Sequence, residues 1–332
     1  MNNKIDFVIA WVDGNDKEWQ KEKNKYNPNP SIVDCRENRY RDWENLKYLF
    51  RGIEKYASWV NKVFFITCGH LPNWLNTNNN KLVIVNHKDY IPEQYLPTFS
   101  ANPIELNLHR IKDLSENFVY FNDDMFILKN VLPEDFFCNN KPCDSAILSP
   151  IISYDKDGFA KLVQNNMAII NTYFIKNECI KKNFTKWINF KYGKELLRSF
   201  CMMPWKHFTG FMDIHIPTSL KKETYKVLWD KEFDILNNTS MSKFRNNNID
   251  VNQWLIRYWQ LCSGDFVPRS IKFCAKFQYT ENNEKLYNSI IHQKYKVICL
   301  NDIVGKYDFE KEKIRTIEAF EKILPEKCSF EK

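Results

Sequence analysis

Through the first half of the chain, apolar positions alternate between short continuous runs and helical stripes. "IDFVIAWV" (5–12), "KVFFIT" (62–67), "KLVIVN" (81–86) and "NFVYFN" (117–122) are runs of strand length, rich in β-branched and aromatic residues. Between them, "DWENLKYLFRGIEKYA" (42–57) puts Leu46, Leu49, Phe50, Ile53 and Ala57 on one face at the helical period. "NPIELNLHRIKDLS" (102–115) predicts a second helix, with Asn102 at its cap and Pro103 in its first turn. Strands alternating with helices predict an α/β fold with a mainly parallel, Rossmann-like sheet covered on both faces.

The alternation weakens after about residue 130. "PEDFFCNNKPCD" reads as a loop insertion, and helices dominate from about 176 to 262, the clearest being 218–233 and 250–262. A late strand, "KYKVICLND" (294–302), and a charged helix over 308–323 follow. The expected organisation is one catalytic domain over 1–332. Its sheet core takes 1–130 and about 265–305, its helical lobe about 176–262, and its terminal helix 308–324. The aromatic run "WLIRYWQL" reads as helix core before it reads as a sugar platform.

Composition narrows the class. At 332 residues and 44% hydrophobic, the chain has enough apolar surface for a large core. Its longest apolar runs fall well short of the roughly 18 residues that span a bilayer, and the N-terminal run meets Asp13 and Asp16 too soon for an export signal. The expectation is a cytoplasmic protein. Its formal net charge of +7 favours anionic partners, such as a nucleotide-sugar or the acidic inner face of a membrane. The lysines are dispersed and no RNA- or DNA-binding signature is present, so nucleic acid is not expected. Ten scattered cysteines predict reduced thiols. Cys138 and Cys143 form the one close pair, with no second pair at finger-like distance, which leaves zinc there a minor alternative.

The candidate chemistry follows the strand ends. In "SENFVYFNDDMFIL" a buried-type strand runs into Asn122-Asp123-Asp124, where bare charge is costly unless paired, hydrogen-bonded or bound to a cation. Asn-Asp also makes ordinary turns, so the pair gains weight only from company. The first strand ends in Trp11, Asp13, Gly14 and Asp16, the second in Thr67, Gly69 and His70, and the late strand in Asn301-Asp302. In a parallel sheet such ends gather on one edge, where amides and carboxylates can hold a diphosphate and its metal.

With these segments in order, the chain resembles the Stealth family, the sugar-1-phosphate transferases of capsule and cell-wall polysaccharide synthesis, to which the enzyme that tags lysosomal proteins is related. "IDFVIAWVDGNDKEW" is similar to the family's first block. The second runs from "RYRDWENLKYLF" through "NFVYFNDDMFI". "HIPTSLKKETYKVLW" with "SKFRNNNIDVNQWLIRYW" resembles the third, and "ICLNDI" the fourth. Thr218 stands where some relatives carry a second histidine. The resemblance implies a nucleotide-sugar fold, a UDP-sugar donor and an oligo- or polysaccharide acceptor, and the positive charge would then suit a place beside other capsule-assembly enzymes at the inner membrane face. The implied reaction is transfer of a hexose 1-phosphate, an N-acetylhexosamine 1-phosphate by family precedent, with release of UMP.

That chemistry needs a base, a cation on the diphosphate, and guanidinium groups for non-bridging oxygens. Asp124 is the expected base, with His215 as partner or rival, and Asp123 would orient substrate or support the cation. Asp302 and Asn301 are the expected ligands of Mg²⁺ or Mn²⁺. Arg245, before a helix capped near Asp250, is the expected phosphate clamp. Trp11, Asp13, Gly14, Gly69, His70 and Asn122 are assigned to the substrate side. Arg41 joins them, although it could instead pair with Glu44. Glu105 and His109, at i and i+4, suit acceptor binding or a structural hydrogen bond. Two other readings stay open: an ordinary metal-dependent glycosyltransferase releasing UDP, and a non-catalytic glycan-binding protein.

Overall fold

The computed structural model describes residues 4–26, 41–153, 156, 158–302 and 307–332. Cys35 and the start of the second sequence block lie outside them. Eleven strands are described: β1 Ile5–Ala10, β2 Val63–Thr67, β3 Leu82–Asn86, β4 Asn117–Asn122, β5 Met125–Ile127, β6 Phe137–Cys138, β7 Lys141–Asp144, β8 Thr218–Lys221, β9 Val267–Pro268, β10 Cys274–Gln278 and β11 Val297–Asn301.

The central sheet has the order β3-β2-β1-β4-β8. Its first four strands are parallel, and β8 runs antiparallel to β4. The chain steps outward from β1 through β2 to β3, then returns to the other side of β1 for β4. That reversal opens a crevice between β1 and β4 at their carboxyl ends, the position where open α/β sheets bind ligands.

The four predicted parallel strands form, β4 with its expected bounds and the others with one end moved by one or two residues. Both faces of the sheet are covered. Phe7 and Ile9 of β1 join one apolar cluster, and Val8 joins the other. The helix over Leu46–Tyr56 buries Leu46, Leu49, Phe50 and Ile53 as its period predicts, each worth about 1.5–3 kcal/mol of hydrophobic stabilisation. It starts four residues later than expected. Glu44 has φ +52°, and its amide donates to Asp42 Oδ1 at 2.7 Å, a turn that a helix cannot contain. Gly52 lets this helix approach β5, since a Cβ there would sit 2.6 Å from the Ile127 carbonyl oxygen.

Three expectations are corrected. The helix expected over 218–233 begins as strand β8, and its helical part is Lys222–Lys231. The late strand β11 does not enter the central sheet; it lies between β10 and β5 in a separate three-stranded sheet. The helix expected over 102–115 is only Ala101–Leu106, capped by Ser100 Oγ on the Asn102 amide, with a single 3₁₀ turn at Leu108–Arg110. Helical structure also starts earlier than 176, with Phe159–Tyr173. In the helix Trp254–Ser263, Leu255, Ile256, Tyr258 and Leu261 are buried, as core. Asp308 caps the last helix, Phe309–Glu321.

Nine described cysteines are free, and Cys138 and Cys143 flank the short β6–β7 hairpin with no metal-ligating cluster around them among the described residues. No helix among the described residues is long and apolar enough to cross a membrane.

Candidate active site

Two carboxylates of the same sheet show what the crevice asks of its residues. At the amino end of β1, Asp6 is fully buried but satisfied: Oδ1 accepts from Asn61 Nδ2 and the Lys62 amide, and Oδ2 from the Ser115 amide. At the carboxyl end of β4, Asp124 is not. Its Oδ1 is buried and has no hydrogen-bond partner, while Oδ2 accepts from Cys299 Sγ at 3.3 Å and lies 3.6 Å from His215 Nε2. Such an orphaned oxygen is costly in a resting fold, and at the switch point it makes Asp124 a candidate for contact with a ligand.

The neighbours of Asp124 come from distant segments. The Leu300 amide donates to the Asp124 carbonyl at 2.8 Å, and Cys299 is in register with Met125, so β11 docks beside the acidic pair through the second sheet. His215 arrives on the segment before β8, where Asn122 Nδ2 lies 3.0 Å from its Nε2. Arg245 sits on a loop organised by Asp250. That carboxylate accepts from the Asn246 amide, Asn102 Nδ2 and Ser242 Oγ at 2.8, 3.1 and 3.2 Å. Asp250 is therefore a loop anchor, not a helix cap; the helix begins at Trp254.

Charge ties the group together. Burial holds His215 below the usual imidazole range; Asp124 opposes that shift, and the positive charges of Lys276 and Arg245 reinforce it. Asp123 opens to the cleft but lies deep in the molecule. The surrounding protein first, and Asp124 second, push its carboxyl up to about 7. Glu105 is buried and also raised to about 7, chiefly by desolvation, with Arg245 and the Tyr120 hydroxyl (3.2 Å) pulling the other way. Asp42 adds negative charge near Asp123 and is itself near Asp13. Asp123 thus feels Asp42, and Asp42 feels Asp13 and the opposing charge of Lys313, while Arg245 and Lys276 act on His215. Carboxylates are hard oxygen donors of the type Mg²⁺ takes.

The remaining candidates divide. Trp11, Asp13 and His70 are knotted together: His70 Nε2 accepts from the Asp13 amide at 2.7 Å, and the imidazole meets the Trp11 ring edge-on at 5.3 Å. Desolvation keeps this imidazole below its ordinary pKa, so His70 shapes the loop after β1 as a neutral acceptor. Gly69 has φ +124°, which a side chain would strain, and the Gly14 carbonyl accepts from Gln20 Nε2 at 2.6 Å.

Asp302 is held by its own partners. Its Oδ2 accepts from Trp43 Nε1 at 3.2 Å and lies 3.7 Å from Arg41 Nε, and its Oδ1 accepts from the Tyr307 hydroxyl. A carboxylate with both oxygens on donors and a guanidinium beside it is a poor cation ligand, so the geometry disfavours the expected metal role of Asp302. Asn301 ends β11, in register with Gln278. Arg41 pairs with Asp302 and not with Glu44, whose partner is Lys313 at 2.8 Å. His109 leaves the crevice altogether. The helix ends at Leu106, and the His109 ring stacks on Tyr225 at 5.3 Å, so the i, i+4 relation to Glu105 does not exist.

Comparison with known proteins shows the family to which the chain belongs. Residues 3–30 match Stealth protein CR1, conserved region 1, and residues 39–144 match Stealth protein CR2, conserved region 2. The capsular polysaccharide phosphotransferase WcwK of Streptococcus pneumoniae is 48% identical over 331 residues, covering 99% of this chain and 98% of that one. The chain belongs to the Stealth family. The receptor polysaccharide phosphotransferase WefC of Streptococcus oralis is 40% identical, with 99% of each chain covered. The exopolysaccharide phosphotransferase cps2G of Lactiplantibacillus plantarum is 39% identical over 99% of this chain and 96% of that one. Among solved structures, the bifunctional glycosyltransferase WbbM aligns at a TM-score of 0.36 and 9% identity, covering 97% of this chain and 52% of that one, too loose a likeness to argue from.

As a Stealth member the chain is a phosphotransferase, and its two matched regions supply most of the crevice: Trp11, Asp13 and Gly14 in the first, and Asp42, Glu105, Asn122, Asp123 and Asp124 in the second. Three neighbours of this Stealth crevice escaped the sequence reading. Cys299 looked like core because it lies inside the apolar run of β11. Asp42 looked like the first turn of a helix. Lys276 alternates outward from β10, which without the second sheet had no known address.

Proposed function

We propose that this phosphotransferase moves a hexose 1-phosphate from a UDP-sugar to a hydroxyl of a polysaccharide acceptor. It would form a phosphodiester and release UMP. The observation that carries the reading is the unpartnered Asp124 Oδ1 at the switch point, with His215 beside the same carboxylate and the positive charges of Arg245 and Lys276 acting on that histidine. The family's relatives named as polysaccharide phosphotransferases supply the acceptor class.

In the proposed step the acceptor hydroxyl donates to Asp124 Oδ1. Its oxygen attacks the β-phosphorus, the bond from that phosphorus to the bridging oxygen breaks, and UMP departs with the electron pair. The proton passes to Asp124, and His215 Nε2, 3.6 Å from the other carboxylate oxygen, is uncharged and able to take it on. Aspartate serves the same purpose in kinases, where the protein mostly positions reactants and neutralises charge. Arg245 would fork onto non-bridging phosphoryl oxygens. Asp123, with the negative charge of Asp42 acting on it, offers Mg²⁺ or Mn²⁺ a hard oxygen donor. A cation bound there would neutralise the diphosphate.

The test is to incubate the purified chain with UDP-N-acetylglucosamine, Mg²⁺ and capsule-derived oligosaccharide, and follow phosphorus NMR. A phosphodiester resonance with stoichiometric UMP is expected. Release of UDP without a phosphodiester would make the enzyme an ordinary glycosyltransferase and overturn the proposal.

A further inference from the structure

Beside the proposed base the structure assembles three ligand atoms of a different chemical character. Cys299 Sγ lies 3.3 Å from Asp124 Oδ2, His215 Nε2 lies 3.6 Å from the same oxygen, and all three atoms fall within 4.8 Å of one another. Ligands around a tetrahedral zinc ion, with bonds of about 2.0 to 2.3 Å, stand roughly 3.5 Å apart. Two of the three separations already match. We infer that Cys299, His215 and Asp124 form a binding site for a thiophilic divalent cation of the zinc class.

Three features support a site over a chance contact. The framework is fixed: Cys299 is paired with Met125, and the Leu300 amide holds the Asp124 carbonyl at 2.8 Å, so thiol and carboxylate are locked across β11 and the start of β5. The approach is open, because the side chains of His215 and Asp124 are 26% and 25% exposed while Cys299 closes the floor. Asp124 also keeps a buried oxygen with no hydrogen-bond partner on the same carboxylate. A sulfur–nitrogen–oxygen set discriminates against Mg²⁺, which takes oxygen ligands, and selects zinc or cadmium. Binding exchanges a bond: the Cys299 S–H breaks, sulfur binds the cation, and the proton leaves to solvent. Three protein ligands leave a fourth position for water. Arg245 and Lys276 stand nearby as opposing charges, so the cation must be held by the thiolate bond more than by the field.

The consequence for turnover rests on the reading given under Proposed function: a zinc ion on Asp124 and His215 would occupy the groups that take the acceptor's proton. Zinc would then inhibit the Mg²⁺-supported reaction reversibly, and a chelator would restore it.

The direct test reads binding, not activity. The metal-free full-length chain is titrated with Zn²⁺ against a chromophoric chelator, and with Cd²⁺ while the thiolate-to-metal charge-transfer absorbance is followed. Wild type is expected to bind one ion and show the band. Cys299→Ser should lose the band, and both Cys299→Ser and His215→Gln should bind Zn²⁺ at least about tenfold more weakly, a loss that even outer-shell changes produce. His215 lies on a half-open segment, so its variant remains informative if the Cys299 variant does not fold. Unchanged zinc affinity in His215→Gln, or a cadmium band that persists in folded Cys299→Ser, overturns the inference. Zinc binding without turnover of any UDP-sugar would sink the proposed reaction and leave this site standing.

Discussion

Arg257 Nη1 donates to Asp213 Oδ1 at 2.7 Å, two residues before His215 in the chain. The same guanidinium grips Asp144 through Nε and Nη2 at 2.7 and 3.0 Å, and the Tyr258 hydroxyl donates to the other oxygen of Asp213. The segment that carries His215 is therefore bolted to a buried ion network in the helical lobe. Arg257→Met strands two buried carboxylates and should cost about 3–5 kcal/mol of stability in urea unfolding. Arg257→Lys keeps the charge but cannot fork to both partners. In the folded Lys variant, kcat should fall with donor KM little changed, because His215 shifts and the donor site does not. A wild-type kcat would show the network to be structural only.

In the proposed step Asp124 and His215 act on one proton, so their losses should not add. Asp124→Asn and His215→Gln are each expected to lower the rate of UMP release by about 10²–10⁴-fold. The double variant should be little worse than the more damaged single one, as for residues that work as a unit. Losses that multiply would mean that the two groups serve separate steps.

The proposed cation site at Asp123, rather than at Asp302, is open to a metal titration that separates the two. Asp302 is committed to Trp43, Tyr307 and Arg41. Asp302→Asn should therefore leave the Mg²⁺ concentration for half-maximal rate close to wild type. Asp123→Asn should raise it at least about tenfold. The reverse pattern would restore Asp302 as the metal ligand.

How much of this was legible in the sequence depended on range. Strands β1 to β4 and the Leu46–Tyr56 helix declare themselves because burial on both sheet faces, or on one helix face, leaves a periodic trace. The Asp123-Asp124 pair stands out as a candidate because charge at the end of a buried run needs a reason. What the sequence could not convey was partnership across hundreds of residues. Asp302 looks like a ligand until Trp43 and Arg41 are seen around it, and Cys299 looks like filler until Asp124 is beside it. Strand β8 was missed because its four residues merge with the helix that follows, and only pairing with β4 makes them a strand. His109 was misread because helical spacing assumes a helix, and this one stops at Leu106.

That His109 also makes the fold sensitive to acid. Burial first, then the positive charges of Arg110, Lys222 and Lys226, lower its pKa from 6.5 to about 3. In the unfolded chain the imidazole titrates near 6.5, so between these values the unfolded state binds the extra proton. Stability is therefore intact above about pH 6.5 and is lost progressively as pH falls toward 3. Phenylalanine keeps an aromatic face for the Tyr225 stack and carries no proton. Thermal midpoints of wild type and His109→Phe, measured between about pH 7.5 and 5, should run parallel above 6.5 and diverge below it, with the variant falling less steeply. Parallel curves throughout would mean that His109 is protonated in the fold and that its ring is not shut away behind Tyr225.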